Sequence, residues 1–406
     1  MTGPLETVRV VELGAWIAGP GAGGILADWG ADVVKVEPPE GDPARGFGRM
    51  LGGDLPINPV FELDNRGKRS VAVDLSQERG LDLVHQLVAE ADVFLTNLRP
   101  AALTRVGLGP DETCDRHPRL VYAIITGYGL EGPDADKGAY DIAAFWARAG
   151  IAQSLRPPGA PLPFQRGGMG DHTVAMTGAA MVSAALVERA RTGRGQLVST
   201  SLLRQGVYTI GFDVNVALMW GRTLGIGTRE TMHSPVLNNY TARDGRSFWI
   251  VGLEGDRHWP ALARAVGHPE WTTDPRFADA RGRALHAGEL IGLLDEAFAL
   301  RTLNEWAAAF SEEPELFWSP VNSVDDVIAD EQFHAANSVV DVPDENGTLP
   351  MLATPVDFGG GPPTPRWRAP HLGEHTSAVL NELGLDDDAI ASLVSDGVAV
   401  TLQSSE

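Results

Sequence analysis

Cysteine is almost absent from this 406-residue chain: Cys114 stands alone, so no intrachain disulfide can form, and neither CxxC nor HExxH occurs. The usual zinc spacings are therefore missing, and metal chemistry is not expected. Positive charge is also scarce. Lys and Arg number 32 against 54 Asp and Glu, and the formal charge of −22 repels a polyphosphate backbone, so nucleic acid is not an expected partner. No apolar run approaches the ~20 residues that a membrane-spanning helix requires. The opening MTGPLETVRVVELG lacks the basic-then-apolar order of a signal peptide. A cytoplasmic location without membrane contact is the expectation.

What is present reads as α/β. β-branched runs at residues 8–13, 32–37, 70–74, 93–96 and 120–126 alternate with helical patterns at 21–29 and 77–90, which argues for parallel strands joined by crossover helices. A long small-residue helix is expected over 172–191, stopped by Gly193, with a strand at 195–202. Asp244-Gly245, between apolar alternations over 239–253, predicts a hairpin. Helical patterns at 258–266, 283–300 and 302–310 accompany it. The expected organisation is a large domain over 1–205, a linker over 206–228, a small α+β domain over 229–332, and a segment 333–406 that returns to the large domain.

Three constellations carry chemistry. Gly19-Pro-Gly21-Ala-Gly-Gly24 fits GxGxxG, with Glu37 ending the next strand, so a NAD-dependent oxidoreductase is one reading. Pro20, however, removes an N–H that would face pyrophosphate, and the other reading is close helix–sheet packing. A basic set follows: Arg66, Lys68 and Arg69, then Arg99 and Arg105 after Asn97, then Lys137. Such a cluster either holds an anionic phosphate ligand or is solvated surface charge. Finally, Gly167-Gly-Met-Gly170-Asp171-His172 precedes the long helix. Asp171 is then either a helix N-cap or an acyl-accepting nucleophile approached across the glycines.

Several stretches resemble the family III CoA-transferases, the group that includes formyl-CoA:oxalate transferase, carnitine CoA-transferase and the α-methylacyl-CoA racemases. The match runs through Val10-Val-Glu-Leu13, Ala18-Gly-Pro20, Gly30-Ala-Asp-Val-Val-Lys-Val-Glu37, Asn65-Arg-Gly-Lys-Arg-Ser70 and Asn97-Leu-Arg-Pro100. It continues through Gly127-Tyr-Gly129, Gly170-Asp171, Thr192-Gly-Arg-Gly-Gln196, Asp244-Gly245 and Leu372-Gly-Glu-His-Thr376. The resemblance implies a Rossmann-like large domain that binds CoA in place of a dinucleotide, a smaller α+β domain, and a homodimer of two interlocked chains.

It also implies that Asp171 is the catalytic carboxylate. Ile17, Ala18, Val73, Asp74, Leu75, Ser76, Asn97, Leu98, Arg99, Arg105, Gly138, Ala139, Tyr140 and Asp141 match positions lining the CoA site. The implied substrates are an acyl-CoA and a free carboxylic acid, exchanged through aspartyl anhydrides and an aspartyl-CoA thioester. An aspartate near its usual pKa of ~3.9 is ionised at neutral pH, so positioning rather than activation is expected. Ile17 replaces the glutamine of formyl-CoA transferase, which suggests a more hydrophobic acyl group. In the racemases a His-Asp-Ile sequence supplies a base. Here Tyr140-Asp141-Ile142 lacks that histidine, although Glu254 matches its partner, and tyrosine is a poor base at neutral pH. A racemase, and a CoA-binding protein without turnover, remain the alternatives.

Overall fold

In the computed structural model, which describes residues 3–50, 52–53, 57–225, 227–231, 234–345 and 347–402, six strands form a parallel array. They are β1 (Arg9–Leu13), β2 (Asp32–Glu37), β3 (Arg69–Val73), β4 (Val93–Thr96), β5 (Val121–Thr126) and β6 (Leu197–Ser201). Their spatial order is β3-β2-β1-β4-β5-β6, and a two-residue strand, Ala399–Val400, joins β3 antiparallel at the edge. The first five are almost wholly buried, as their near-continuous apolar runs require when helices cover both faces. The chain returns across the β1/β4 boundary, where the strand order reverses and ligands of such sheets bind.

The crossover helices are α1 (Ala18–Asp28), α2 (Pro59–Asn65), α3 (Glu78–Ala89), α4 (Pro100–Arg105) and the long α5 (Met169–Thr192). Every residue of α1 is buried. A Cβ on Gly23 would lie 1.9 Å from Glu12 Oε2, and one on Gly24 would lie 2.6 Å from the Asp64 carbonyl oxygen. The glycine-rich run therefore serves close packing of α1 against β1 and α2, which accounts for the GxGxxG match without a dinucleotide. Helix α5 starts three residues earlier than its apolar pattern suggested, because Gly168, at φ +70°, turns the chain into it.

The described residues divide into two units. One comprises Met1–Ser154, Pro163–Thr223 and Gln332–Glu406 and holds the parallel sheet. Its C-terminal helices, Thr376–Glu382 and Asp387–Ser395, bury Val379, Leu380, Ile390 and Leu393 in the core on one sheet face. The other comprises Leu155–Leu162 and Leu224–Glu331. It contains the expected hairpin, β7 (Leu237–Thr241) with β8 (Ser247–Val251), extended by β9 (Trp318–Pro320). Its core is aromatic, built on Tyr240, Phe248, Trp259, Phe298, Trp306 and Phe310. The stretch 206–228, expected as a linker, is largely helical: Leu202–Thr209 is followed by α6 (Gly211–Trp220), which ends at Gly221 in the left-handed conformation.

Candidate active site

The crevice at the β1/β4 switch is closed by one side chain. Asn97 Oδ1 accepts from Ala15 N–H at 3.0 Å, and its Nδ2 donates to the Ala15 carbonyl at 2.8 Å, so the loops after β1 and β4 are clamped together. Ile17 and Ala18, both buried, lead from this clamp into α1. Leu98 N–H donates to the Thr96 hydroxyl, and Arg99 and Arg105 bracket α4. Both arginines are exposed and have no side-chain partner among the described residues. Ala101 N–H donates to Asp136 Oδ1 at 2.9 Å, which brings the loop of Lys137, Gly138, Ala139, Tyr140 and Asp141 to the same rim. Val73 is buried at the end of β3. Beyond Leu75, the Asp74 carboxylate accepts from the Ser76 N–H and hydroxyl, so its charge organises its own turn.

Half of the basic set is not available to a ligand. Arg66 is buried against Asp28 at 2.6 Å, Lys68 against Glu12 at 2.7 Å, and Arg69 binds Asp32 and Glu382, each at 2.6 Å. These acids lie on strands and helices far away in sequence, which is why the trio reads as free charge in one dimension. Only Arg99, Arg105 and Lys137 remain on the rim.

The α5 entrance departs from the N-cap expectation for Asp171. The cap position belongs to Gly168, which has no side chain to offer, and Asp171 is the third helical residue. Capping comes from elsewhere: Asp141 Oδ2 accepts from Gly170 N–H at 3.2 Å and from Gln165 Nε2 at 2.5 Å. Gly170 N–H is thus occupied. Asp171 makes no hydrogen bond or ion pair among the described residues and keeps some contact with solvent. It therefore sits at the positive end of the α5 dipole, unpartnered and reachable.

Its protonation differs from the expectation of an ordinary carboxylate. Burial, and next the charge of Asp141, push Asp171 up from 3.8 to about 7, while His172 acts in the opposite direction. His172 Nε2 lies 3.1 Å from Asp64 Oδ1, and that hydrogen bond raises the imidazole pKa. Asp64, on α2, is 108 residues away in sequence, so no spacing rule pairs the two. Tyr140 is exposed and sets its ring edge-on to Trp16 at 5.8 Å. Trp16 itself has φ +68°, with its N–H held by Asp42 Oδ1 at 3.0 Å. Nothing in the sequence signals that strained turn. Glu254 lies in the other unit, exposed and paired with Arg257 at 3.1 Å.

Beside His172 a cavity of about 630 Å³ opens, within the range of ligand pockets. Its wall is mostly apolar, with Ile25, Leu63, Met176, Phe333 and Val356 around the His172–Asp64 pair.

Known proteins resemble this chain over nearly its whole length. A model of CoA-transferase family III matches residues 5–376. The (R)-2-hydroxy-4-methylpentanoate CoA-transferase of Clostridioides difficile is 33% identical over 389 residues, covering 95% of this chain and 97% of that protein. The succinyl-CoA–D-citramalate CoA-transferase of Chloroflexus aurantiacus is 33% identical and covers 96% of each. Among solved structures, a CAIB/BAIF family protein from Brucella suis superposes with a TM-score of 0.82 at 32% identity, covering 94% of this chain and all of that one. A match across nearly the whole length means that this chain is an enzyme of CoA-transferase family III.

Proposed function

We propose that the protein moves CoA between an acyl-CoA and a free carboxylic acid, with Asp171 as the covalent nucleophile. The observation that carries this reading is a reachable carboxylate, without a hydrogen-bonding partner among the described residues, at the positive end of a 24-residue helix. Asp171 attacks the thioester carbonyl carbon, the C–S bond breaks, and a mixed anhydride and CoA thiolate result. The thiolate then attacks the Asp171 carbonyl, releasing the donor acid and leaving an aspartyl-CoA thioester. The acceptor carboxylate reverses these two steps with its own acyl group. Each step exchanges one acyl bond for another, so no external oxidant or base is consumed.

The exposed Arg99, Arg105 and Lys137 are the groups to hold the CoA phosphates, by charge-assisted hydrogen bonds. Apolar Ile17 and the mostly apolar cavity beside His172 favour an apolar acyl group. This agrees with the branched 2-hydroxy acid in the name of the Clostridioides difficile relative.

Incubation with a panel of acyl-CoAs, followed by peptide mass spectrometry, tests the reading. A CoA or hydroxylamine-sensitive acyl adduct on the peptide containing Asp171 is expected, with no deuterium entering the acyl group in D2O. Deuterium at the α-carbon without an adduct would instead establish racemase chemistry.

Self-association belongs to the same proposal. Helix α6 has no buried residue, and Phe212, Leu218, Met219 and Trp220 are each at least 64% exposed. Four large apolar side chains exposed on one helix point to an interaction face. Sedimentation should find two chains per particle, and Phe212→Asp combined with Trp220→Asp should shift the particle towards one chain. An unchanged wild-type-like dimer would remove α6 from the interface.

A further inference from the structure

His172 follows the proposed nucleophile directly, yet its side chain is committed to another helix. Nε2 lies 3.1 Å from Asp64 Oδ1, and Asp64 is 2% exposed, with its second oxygen buried and unpartnered. On its other edge the ring borders Gly168: a Cβ there would lie 3.3 Å from His172 Cε1, 3.4 Å from Nδ1 and 3.4 Å from Ile17 Cδ1. One nitrogen is thus fixed on a buried acid, while the other faces the glycine turn that begins α5.

The charges around Asp171 make this arrangement significant. Asp141 and Asp64 are both acidic, and among the described residues His172 is the cation that acts on Asp171. Other ionisable groups on neighbouring elements have different commitments. Asp28 of α1 pairs with Arg66, Glu62 of α2 accepts from Ala369 N–H, and Arg148 pairs with Asp134. Strands β5 and β6 carry no acid or base beyond Tyr122, whose hydroxyl donates to the Leu108 carbonyl. Arg204 lies in the helix Leu202–Thr209. Burial pushes the Asp64 carboxyl above its usual range, and the His172 hydrogen bond and the charges of His172 and Lys68 act against that. An imidazole fixed on one acid beside another, and favoured in its charged form by that hydrogen bond, therefore has a clear electrostatic task.

We propose that His172, held by the buried carboxylate of Asp64, is the positioning residue for Asp171 and supplies the positive charge that keeps it anionic for attack. This rests on the reading of Asp171 as the nucleophile. The directions of the shifts agree: the Asp64 hydrogen bond favours the charged imidazole, and that charge opposes the burial and the Asp141 charge that push Asp171 up. The sign follows directly. Without the imidazolium, Asp171 ionises at higher pH, and activity on the acid side is lost.

The test compares the wild type with His172→Gln and His172→Lys. The acid limb of kcat/KM should move up by about one pH unit in His172→Gln, so that activity at pH 6 falls about tenfold and rejoins the wild type above pH 9. His172→Lys, which keeps a cation, should leave the limb within a few tenths of a unit. Carbon-13 NMR titration of the aspartate carboxyls, with the Asp171 signal assigned by its loss in Asp171→Asn, reads the same shift without any turnover. If the Asp171 titration does not move in His172→Gln, or both variants lose activity equally at every pH, the inference fails. If the titration moves but wild-type protein forms no adduct, the inference stands for the charge, and the nucleophile reading fails instead.

Discussion

Asp171→Asn is expected to lower turnover by about a thousandfold or more and, at the same time, to make the folded protein more stable at pH 8. The two effects share one origin. The carboxylate is held where burial and Asp141 oppose its charge, and its pKa rises from 3.8 to about 7. A group whose folded pKa exceeds its unfolded value costs nothing below about pH 4, where both states are protonated. The cost grows between about pH 4 and pH 7 and is complete above pH 7. Full burial would make a shift of this size worth about 4 kcal/mol, and residual solvent contact reduces it to about 1–3 kcal/mol. Urea unfolding of wild type and Asp171→Asn at pH 4.5 and pH 8 measures it. A variant that gains stability only at the higher pH, and forms no covalent CoA adduct, fits a strained nucleophile. Equal stabilities at both pH values would mean that Asp171 is better solvated than its surroundings indicate, and retained turnover would remove it from the chemistry.

The sheet was legible because parallel strands buried on both faces must be apolar throughout, and the runs at 32–37 and 93–96 match β2 and β4 residue for residue. The glycines before Asp171 read as room for a ligand, but the turn that Gly168 makes at a positive φ, and with it the earlier start of α5, was not legible. What stayed hidden are partnerships formed by folding. His172 reads as an incidental neighbour of Asp171 until α2 brings Asp64 against it. Arg66 and Lys68 read as ligand-binding or solvated charge until Asp28 and Glu12 take them up. Asp171 reads as either a cap or a nucleophile until the acid that does cap the helix, Asp141, arrives from a loop 29 residues before Gly170. In each case a side chain's chemistry was visible and its partner was not. It is the resemblance, and not spacing, that points to Asp171, because motif order encodes the fold that spacing alone does not.

The second large effect belongs to Glu12, which has no contact with the crevice. It is fully buried on β1, with Lys35 Nζ 3.0 Å from one carboxylate oxygen and Lys68 Nζ 2.7 Å from the other. Lys35 also binds Asp42 at 2.9 Å, and Lys68 donates to the Pro20 carbonyl and to Asn65 Oδ1. Two acids and two lysines therefore form a balanced buried set directly beneath α1. Burial works against the Glu12 charge, but Lys68 and Lys35 outweigh it and hold the carboxyl below its usual range. Lys68 responds in the other direction, since burial lowers it to about 8 despite Glu12. Removing Glu12 leaves a lysine that is costly to keep charged and has lost the acid it pairs with, the Asp64 charge being its remaining support. Glu12→Gln should therefore cost about 3–5 kcal/mol, the usual penalty for breaking a buried pair on one side. Adding Lys68→Met should recover part of that loss, because the stranded cation is removed with its partner. Hydrogen exchange of the β1, β2 and β3 amides during urea unfolding reports on this unit alone, so the aromatic-core unit does not mask the change. A cost below about 1 kcal/mol, or strict additivity of the two substitutions, would mean that the four charges act independently. Coupling, by contrast, would extend past the sheet. Lys68 also supports Asp64, and Asp64 holds His172, so the Glu12 network and the Asp171 site are joined by charges that no motif connects.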